Sequence, residues 1–272
     1  MNLITRIFYG LTAIGFFAPY LRNILKNWHW TMEELNGRTD WIWSVSWMSF
    51  IPEKFPVVLA FVLAGFLFSM IGVLFPHKKW LRVFVFLLVF QSLALKYSPI
   101  KIGHSSHILL FTSFWLIFIN LNNKSKELIK EQNKLYLWAI QVSFLGAYFL
   151  TGLWKLRDFM GYLMKMDWSE IPRCLGANFA DEYISYNLES PFYEGVLKVL
   201  EWPFINHLLW LGVILFQVCV LVVAWFPPLQ RVCGLLIILF HVSTFIFMDL
   251  RFLPNQYIAL IFLVCHPYQR KR

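Results

Sequence analysis

Residues 55–75, FPVVLAFVLAGFLFSMIGVLF, are long enough to cross a hydrocarbon core and carry no charged side chain. Such a stretch admits few folds. In lipid every backbone N–H and C=O must be satisfied internally, which a helix achieves and an open strand or loop does not. Similar runs recur near 4–21, 79–96, 106–121, 135–155, 206–226, 231–249 and 255–266. The expectation is an all-α, polytopic integral membrane helical bundle of about eight transmembrane helices, forming a single domain over 1–272. The eighth run is short enough to require tilt or an interfacial position. Charge content decides against a soluble alternative, because 14% of residues are charged against about 25% in soluble domains. The first run begins almost at Met1 and no small-residue cleavage site follows it, so it is expected to be a retained span rather than a signal peptide.

The net charge of +9 sits at helix ends and short loops, where orientation signals and anionic lipid account for it without nucleic acid. One side collects Arg6, then Lys78, Lys79 and Arg82, then Lys124, Lys126, Lys130 and Lys134, then Arg231, and finally Arg270, Lys271 and Arg272. The short loops of the other side hold Lys96, Lys101 and Arg251. This asymmetry places both termini in the cytoplasm. It also gathers Lys155, the loop carrying His104 and His107, and the end of HVSTFIFMDLRF with Asp249 and Arg251 on the outer side.

Two longer connections fall on that side. Asn23–Lys54 holds Trp28, Trp30, Trp41, Trp43 and Trp47, rings that favour a membrane–water interface. Asp158–Pro203 contains Ser190-Pro191, an N-cap followed by proline at the first helical position, with Glu194 in the first turn. Val196, Leu197 and Leu200, which follow, are expected to lie on the bilayer surface as part of a short amphipathic helix. Each connection reads either as an interfacial anchor or as a substrate-binding lid. Cys174, Cys219, Cys233 and Cys265 form no CxxC pair and read as small hydrophobes rather than a disulfide framework.

Gln141–Leu156, QVSFLGAYFLTGLWKL, differs from the other runs in carrying polar groups in register. At 3.6 residues per turn Gln141, Tyr148, Gly152 and Lys155 share one narrow stripe, with Phe144, Leu150 and Trp154 turned elsewhere. A polar stripe is costly in lipid unless it faces protein or a water-filled cavity. Gly152 removes bulk one turn before the lysine, so a neighbouring helix or a ligand can approach. The span reads as ending on Lys155, and two readings of that residue stand open. One is a terminal cation snorkelling to the headgroups. The other is a base at the edge of an apolar cavity, since desolvation penalises an ammonium and a neutral amine takes a proton from a weakly acidic hydroxyl.

His104 and His107 lie three apart at a helix start, a spacing by which two histidines can meet one metal or haem. No cysteine or carboxylate completes a set, so a proton relay or a hydrogen bond to ligand is preferred, with no metal or haem expected. His241, inside LLIILFHVSTFIF, is either a functional group facing the bundle interior or a neutral ring bonded to a carbonyl or serine. Arg251 holds a ligand or pairs with Asp249 at the rim. The candidate catalytic residues are therefore Lys155, His104, His107 and His241. The candidate binding residues are Tyr148, Gly152 and Arg251, in a pocket open to the outer side.

Four stretches, ITRIFYGLTAIGF, GHSSHILLF, FLGAYFLTGLWKL and FHVSTFIFMDLRF, together with the outer-loop SPF at Ser190–Phe192, resemble blocks of the HTTM (horizontally transferred transmembrane domain) superfamily. Its characterised member is the vitamin K-dependent gamma-carboxylase. The blocks cover most of the chain in the family's order, and the Gly-x-x-Lys-Leu ending is the most specific. The resemblance implies that Lys155 is the base that deprotonates a reduced quinone, a vitamin K hydroquinone-like cofactor. Oxygen then adds, and the strong base so formed takes a proton from a glutamate whose carbanion captures carbon dioxide. It also implies that either His104 or His107 is the family's fourth-span histidine and His241 that of the seventh.

Two departures qualify this. In the carboxylase a large soluble domain follows the membrane domain, whereas this sequence ends at Arg272. Substrate capture is therefore expected to differ or to come from a small partner subunit. The lysine preceding the base is replaced by Trp154. In length the chain is similar to short bacterial members resembling the sporulation-delaying peptide maturation proteins. That implies a bacterial cytoplasmic membrane, with the lipid bilayer and a secreted peptide substrate as partners. The alternative is a non-enzymatic membrane partner, immunity or export factor for a secreted peptide toxin. A third reading is a haem-binding quinol protein using His107 and His241.

Overall fold

The structure, a computed structural model, describes residues 2–26, 55–97, 107–121, 127–164, 198, 201–248 and 252–265. Among these the regular structure is helical: α1 Asn2–Lys26, α2 Phe55–Leu74, α3 Lys79–Tyr97, α4 His107–Leu116, α5 Glu127–Met164, α6 Pro203–Cys219, α7 Pro227–Met248 and α8 Leu253–Cys265. Each expected apolar run coincides with one of these helices. The 5 that are long and apolar enough to cross a membrane are α1, α2, α5, α6 with its 3-10 extension to Trp225, and α7. The chain therefore has the make-up of a helical integral membrane protein. α4 and α8 are shorter. At 1.5 Å per residue α4 spans about 15 Å, roughly half a hydrocarbon core. The tryptophan-rich stretch 27–54, the Ser190-Pro191 cap with Glu194, Val196, Leu197 and Leu200, and Cys174, His104, Asp249 and Arg251 lie outside the described residues.

The helices fall into two compact units, Met1–Ile140 with Leu253–Ile261, and Gln141–Phe252 with Phe262–Arg272. In the first, α1 packs on α2, α2 on α3, α3 on α4, α4 on α8, and α8 returns to α1. The face α2 turns inward is Val58, Val62, Ser69 and the glycines between and after them. The ring of Phe17 lies against Gly65 and that of Tyr9 against Gly72, where an added Cβ would come 2.8 Å from Tyr9 Cδ2. Small residues admit close helix approach where lipid supplies no hydrophobic drive between helices. α1 changes register over Ala13–Phe17, a π-helical segment closed by the Ala18 N–H bonding the Ala13 carbonyl. Pro19 follows immediately and lacks the N–H that the Gly15 carbonyl would otherwise receive, which favours such a shift.

The end of α4 has a definite cause. A helix continues when the carbonyl of Leu116 meets the N–H of Asn120, and both groups are diverted. Buried Arg82 donates Nη1–H to the carbonyls of Leu116 at 3.0 Å and of Ile119. The N–H of Asn120 donates to Asn133 Oδ1 at 2.8 Å, and Asn133 Nδ2 returns a bond to the Asn120 carbonyl at 2.7 Å. A guanidinium at a helix C-terminus is also well placed with respect to the helix dipole. Arg82, which reads from sequence as an orientation charge, has a packing role in the structure.

In the second unit, α6 tightens into a 3-10 turn over Val220–Trp225, and Pro227 opens α7. Buried Gln230 donates Nε2–H to the Ala224 carbonyl at 3.1 Å, meeting an acceptor that the proline pair leaves without a helical donor. α5 does not end at Lys155 as its hydropathy suggests, but runs on to Met164. Arg157 and Asp158 bond each other at 2.8 Å on this extension, and no proline interrupts the ladder, which runs on through Gly161. Loss of apolar character marks an exit from lipid, not the end of a helix.

Candidate functional site

The polar stripe of α5 faces inward, and each of its members has a distinct use. Gln141 donates Nε2–H to the Phe262 carbonyl at 2.7 Å, in the π-helical end of α8 where carbonyl register is disturbed. Its donor is spent on packing. Two turns on, the Tyr148 hydroxyl and Nε2 of His241 share a hydrogen bond from α5 to α7. Ser243 and Thr244 return their hydroxyls to carbonyls of their own helix, at Leu239 and His241, both at 3.0 Å. Of the polar groups in HVST, the imidazole is the one that reaches across.

The imidazole sits in an aromatic setting and is only 3% exposed. Its ring centroid is 4.8 Å from Phe252, 5.2 Å from Phe240 and 5.7 Å from Tyr148. Phe144 lies 5.2 Å from the Tyr148 ring and is 2% exposed, so it belongs beside the stripe rather than on another face. The reason is angular: 144 and 148 are one helical turn apart. Leu150 and Trp154 do face outward, at 66% and 62% exposure.

Lys155, two turns beyond Tyr148, carries its Nζ to 5.2 Å from the Trp210 ring and 5.9 Å from Phe240. Among the described residues it forms no ion pair, and the carboxylate nearest in sequence, Asp158, is bonded by Arg157. The Arg157 guanidinium itself lies 3.6 Å over Trp154. The lysine head is thus set against two aromatic walls. Between Tyr148 and Lys155, Gly152 meets α6 closely: an added Cβ would fall 2.7 Å from Gln217 Cβ and 2.8 Å from both the Gln217 carbonyl carbon and the Val218 nitrogen.

Tyr148, Gly152, Lys155 and His241 therefore come together in the second unit. His107 opens α4 in the first unit, and His104 and Arg251 lie outside the described residues. Trp210, Gln217 and Phe240 complete the setting and were not singled out from sequence. Gln217 did leave a signal, as the polar residue inside LLWLGVILFQVCVLVVAW. The two rings left none, since aromatics are common throughout this chain. No three His, Cys, Asp or Glu side chains converge among the described residues. An open apolar groove of about 460 Å³ belongs instead to α2 and α3, between Phe61, Phe84, Leu87 and Gln91.

The arrangement sets an amine that can accept a proton against the rings of Trp210 and Phe240, beside a phenol–imidazole pair that can pass or orient one. No protein-family model matches the chain, and no match to it is found among characterised proteins or solved structures.

Proposed function

We propose that this chain is an HTTM-type enzyme of the bacterial cytoplasmic membrane, with eight spans, cytoplasmic termini and an outward-facing site. Its base is Lys155, acting on a reduced quinone-like cofactor and coupled to modification of a secreted peptide. One observation carries the reading: a single face of α5 presents the Tyr148–His241 pair and an amine without an ion pair among the described residues, walled by Trp210 and Phe240.

These residues suit a hydroxyl-bearing aromatic ring. Trp210 and Phe240 offer flat surfaces for it beside the amine. When bound, a reduced quinone supplies oxidisable electrons whose reaction with oxygen drives chemistry no side chain can power. Lys155 in its neutral form receives the proton of the weakly acidic hydroxyl. The phenol–imidazole pair holds Tyr148 in one orientation and offers a second stop for that proton.

The test uses the full chain in proteoliposomes, supplied with menadiol and oxygen, following loss of the reduced ring above the protein-free rate. Lys155→Ala should insert and fold like the wild type, judged by helical circular dichroism and size-exclusion behaviour. It should lose about 10²-fold or more of the rate, the range for removal of a general base. Wild-type turnover in Lys155→Ala would end the assignment. An inert wild type that still binds a secreted peptide would favour the partner or immunity role.

A further inference from the structure

The open groove of about 460 Å³ belongs to the first unit and to residues the α5 site does not use. Its volume lies in the range of pockets that hold a small molecule, about 300–1,000 Å³. On α3, Phe84, Leu87, Leu88 and Gln91 follow the i, i+3, i+4, i+7 spacing and share one face, and Phe61 supplies the wall from α2. Phe84 and Leu87 are each 48% exposed, so this face is not turned into the bundle. Trp80 continues it by one turn toward the α2–α3 connection, its exposed ring 6.1 Å from that of Phe84. At the foot of the groove His77, Lys78 and Lys79 are all exposed. Exposed Arg6 stands at the same end of the unit, one turn before Tyr9, whose ring lies on Gly72. None of the four has an ion pair among the described residues, and residues 55–97 contain no Asp or Glu. Cations, then an indole, then an apolar slot is the order of a membrane interface read from headgroup to hydrocarbon. The depth agrees. At 1.5 Å per residue the groove runs from about 8 to about 18 Å beyond Lys79, close to one leaflet of a core about 30 Å thick.

We propose that this groove binds one anionic phospholipid, an acyl chain lying between Phe61 and the Phe84–Gln91 face and the phosphate meeting Lys78 and Lys79. The proposal is independent of any chemistry at Lys155. Charge selects the headgroup: a zwitterionic lipid brings an ammonium to a rim that offers it only cations, whereas an anionic one gains about 1 kcal/mol for each lysine near the surface. Volume selects the chain. A helix about 10 Å across fills about 800 Å³ over the same 10 Å of length, more than the groove holds. Phe68 stacks on Phe84 at 5.5 Å, so α2 and α3 stay in contact at the groove's foot. A lipid seated there ties the α2–α3 pair to one leaflet.

The test is native mass spectrometry of the full chain in detergent, titrated with palmitoyl-oleoyl phosphatidylglycerol and separately with the phosphatidylcholine of the same chains. The wild type should retain a first phosphatidylglycerol with roughly tenfold higher affinity, equivalent to about 1.4 kcal/mol. Lys78→Gln with Lys79→Gln should lower it to the phosphatidylcholine value, and Lys78→Arg with Lys79→Arg should keep it. Leu87→Trp fills the groove from an exposed position and should weaken both lipids, with Leu87→Phe in its place if circular dichroism shows a folding defect. Excess glycerol 3-phosphate, which has the charge without the chain, should displace nothing. Equal affinities in the wild type, or a preference that survives the glutamine pair, would overturn the headgroup assignment and the proposal with it. Unchanged retention in the Leu87 variants would place the lipid elsewhere and overturn the groove as its seat. A dimeric wild type that Leu87→Trp makes monomeric would give the groove to a second copy of the chain instead.

Discussion

The hydroxyl of Tyr148 and Nε2 of His241 bond across α5 and α7 inside a cluster of Phe144, Phe240 and Phe252. Both side chains are buried there, so the bond between them is expected to contribute to stability. Tyr148→Phe and His241→Leu should each lower unfolding free energy by about 1–3 kcal/mol, the range for orphaning a buried polar partner. The double variant should recover about 0.6–1.7 kcal/mol relative to their sum, the span of interhelical polar couplings in membranes. Unfolding in mixed micelles gives the four values. A coupling of zero would show that the two side chains merely lie near one another.

Gly152 offers a cleaner geometric test, because what an added methyl would meet is backbone and the Cβ fixed to it. At 2.7–2.8 Å from Gln217 and Val218, it cannot be accommodated by rotating a flexible side chain. Gly152→Ala should therefore push α5 from α6 and cost about 1–3 kcal/mol. Gly146, with nothing within 4 Å of its added Cβ, is the control on the same helix. Gly146→Ala should be neutral or stabilising by up to about 1 kcal/mol through helix propensity alone. Equal effects at the two positions, read by thermal unfolding, would remove the close approach from the account of the site.

What could be read in the sequence divides along a physical line. The stripe of Tyr148, Gly152 and Lys155 was legible because polarity stands out on an apolar helix and is costly there. The inward face of α2 was not, since Val58, Val62 and Ser69 alternate with equally apolar residues facing out, such as Leu63 and Leu67. In lipid both faces are greasy, so burial leaves no periodic trace. The same holds for Trp210 and Phe240, whose importance lies in what they face and not in what they are. Phe144 was misplaced for a different reason: a wheel reading that separated it from a residue one turn away. Helix ends were blurred where tertiary bonds set them, as Arg82 and Asn133 do for α4.

Arg82 separates two roles that sequence alone merges. If its charge serves only to orient the chain, Arg82→Lys should match the wild type. In the structure its guanidinium donates to the carbonyls of Leu116 and Ile119 from a buried position. A lysine keeps the charge but lacks the planar fork. Arg82→Lys should then lose about 1 kcal/mol or more, and Arg82→Met about 1.5–3 kcal/mol for each charge-assisted bond removed. Both variants should retain the wild-type topology by cysteine-accessibility mapping, while denaturant unfolding reports the loss. A stable Arg82→Met would return the residue to a purely topogenic role.

Lys155 and Trp210 make the last test, and it bears on how the amine is held. A lysine head 5.2 Å from an indole centroid is within cation–π range, where such contacts contribute about 0.5–2 kcal/mol depending on desolvation. Trp210→Leu removes the aromatic face but keeps much of the apolar bulk, so its cost contains both packing and cation terms. Repeating it in a Lys155→Met background isolates the second, since methionine keeps the stem without the charge. The indole should cost about 0.5–2 kcal/mol more when lysine is present than when it is absent. Identical costs in both backgrounds would mean that Trp210 is a wall and nothing more, leaving the lysine head free to turn away. In that case the base assignment would lose the element that stabilises the ammonium formed on proton uptake, and a lysine on a helix that continues to Met164 would have many orientations and no preferred target.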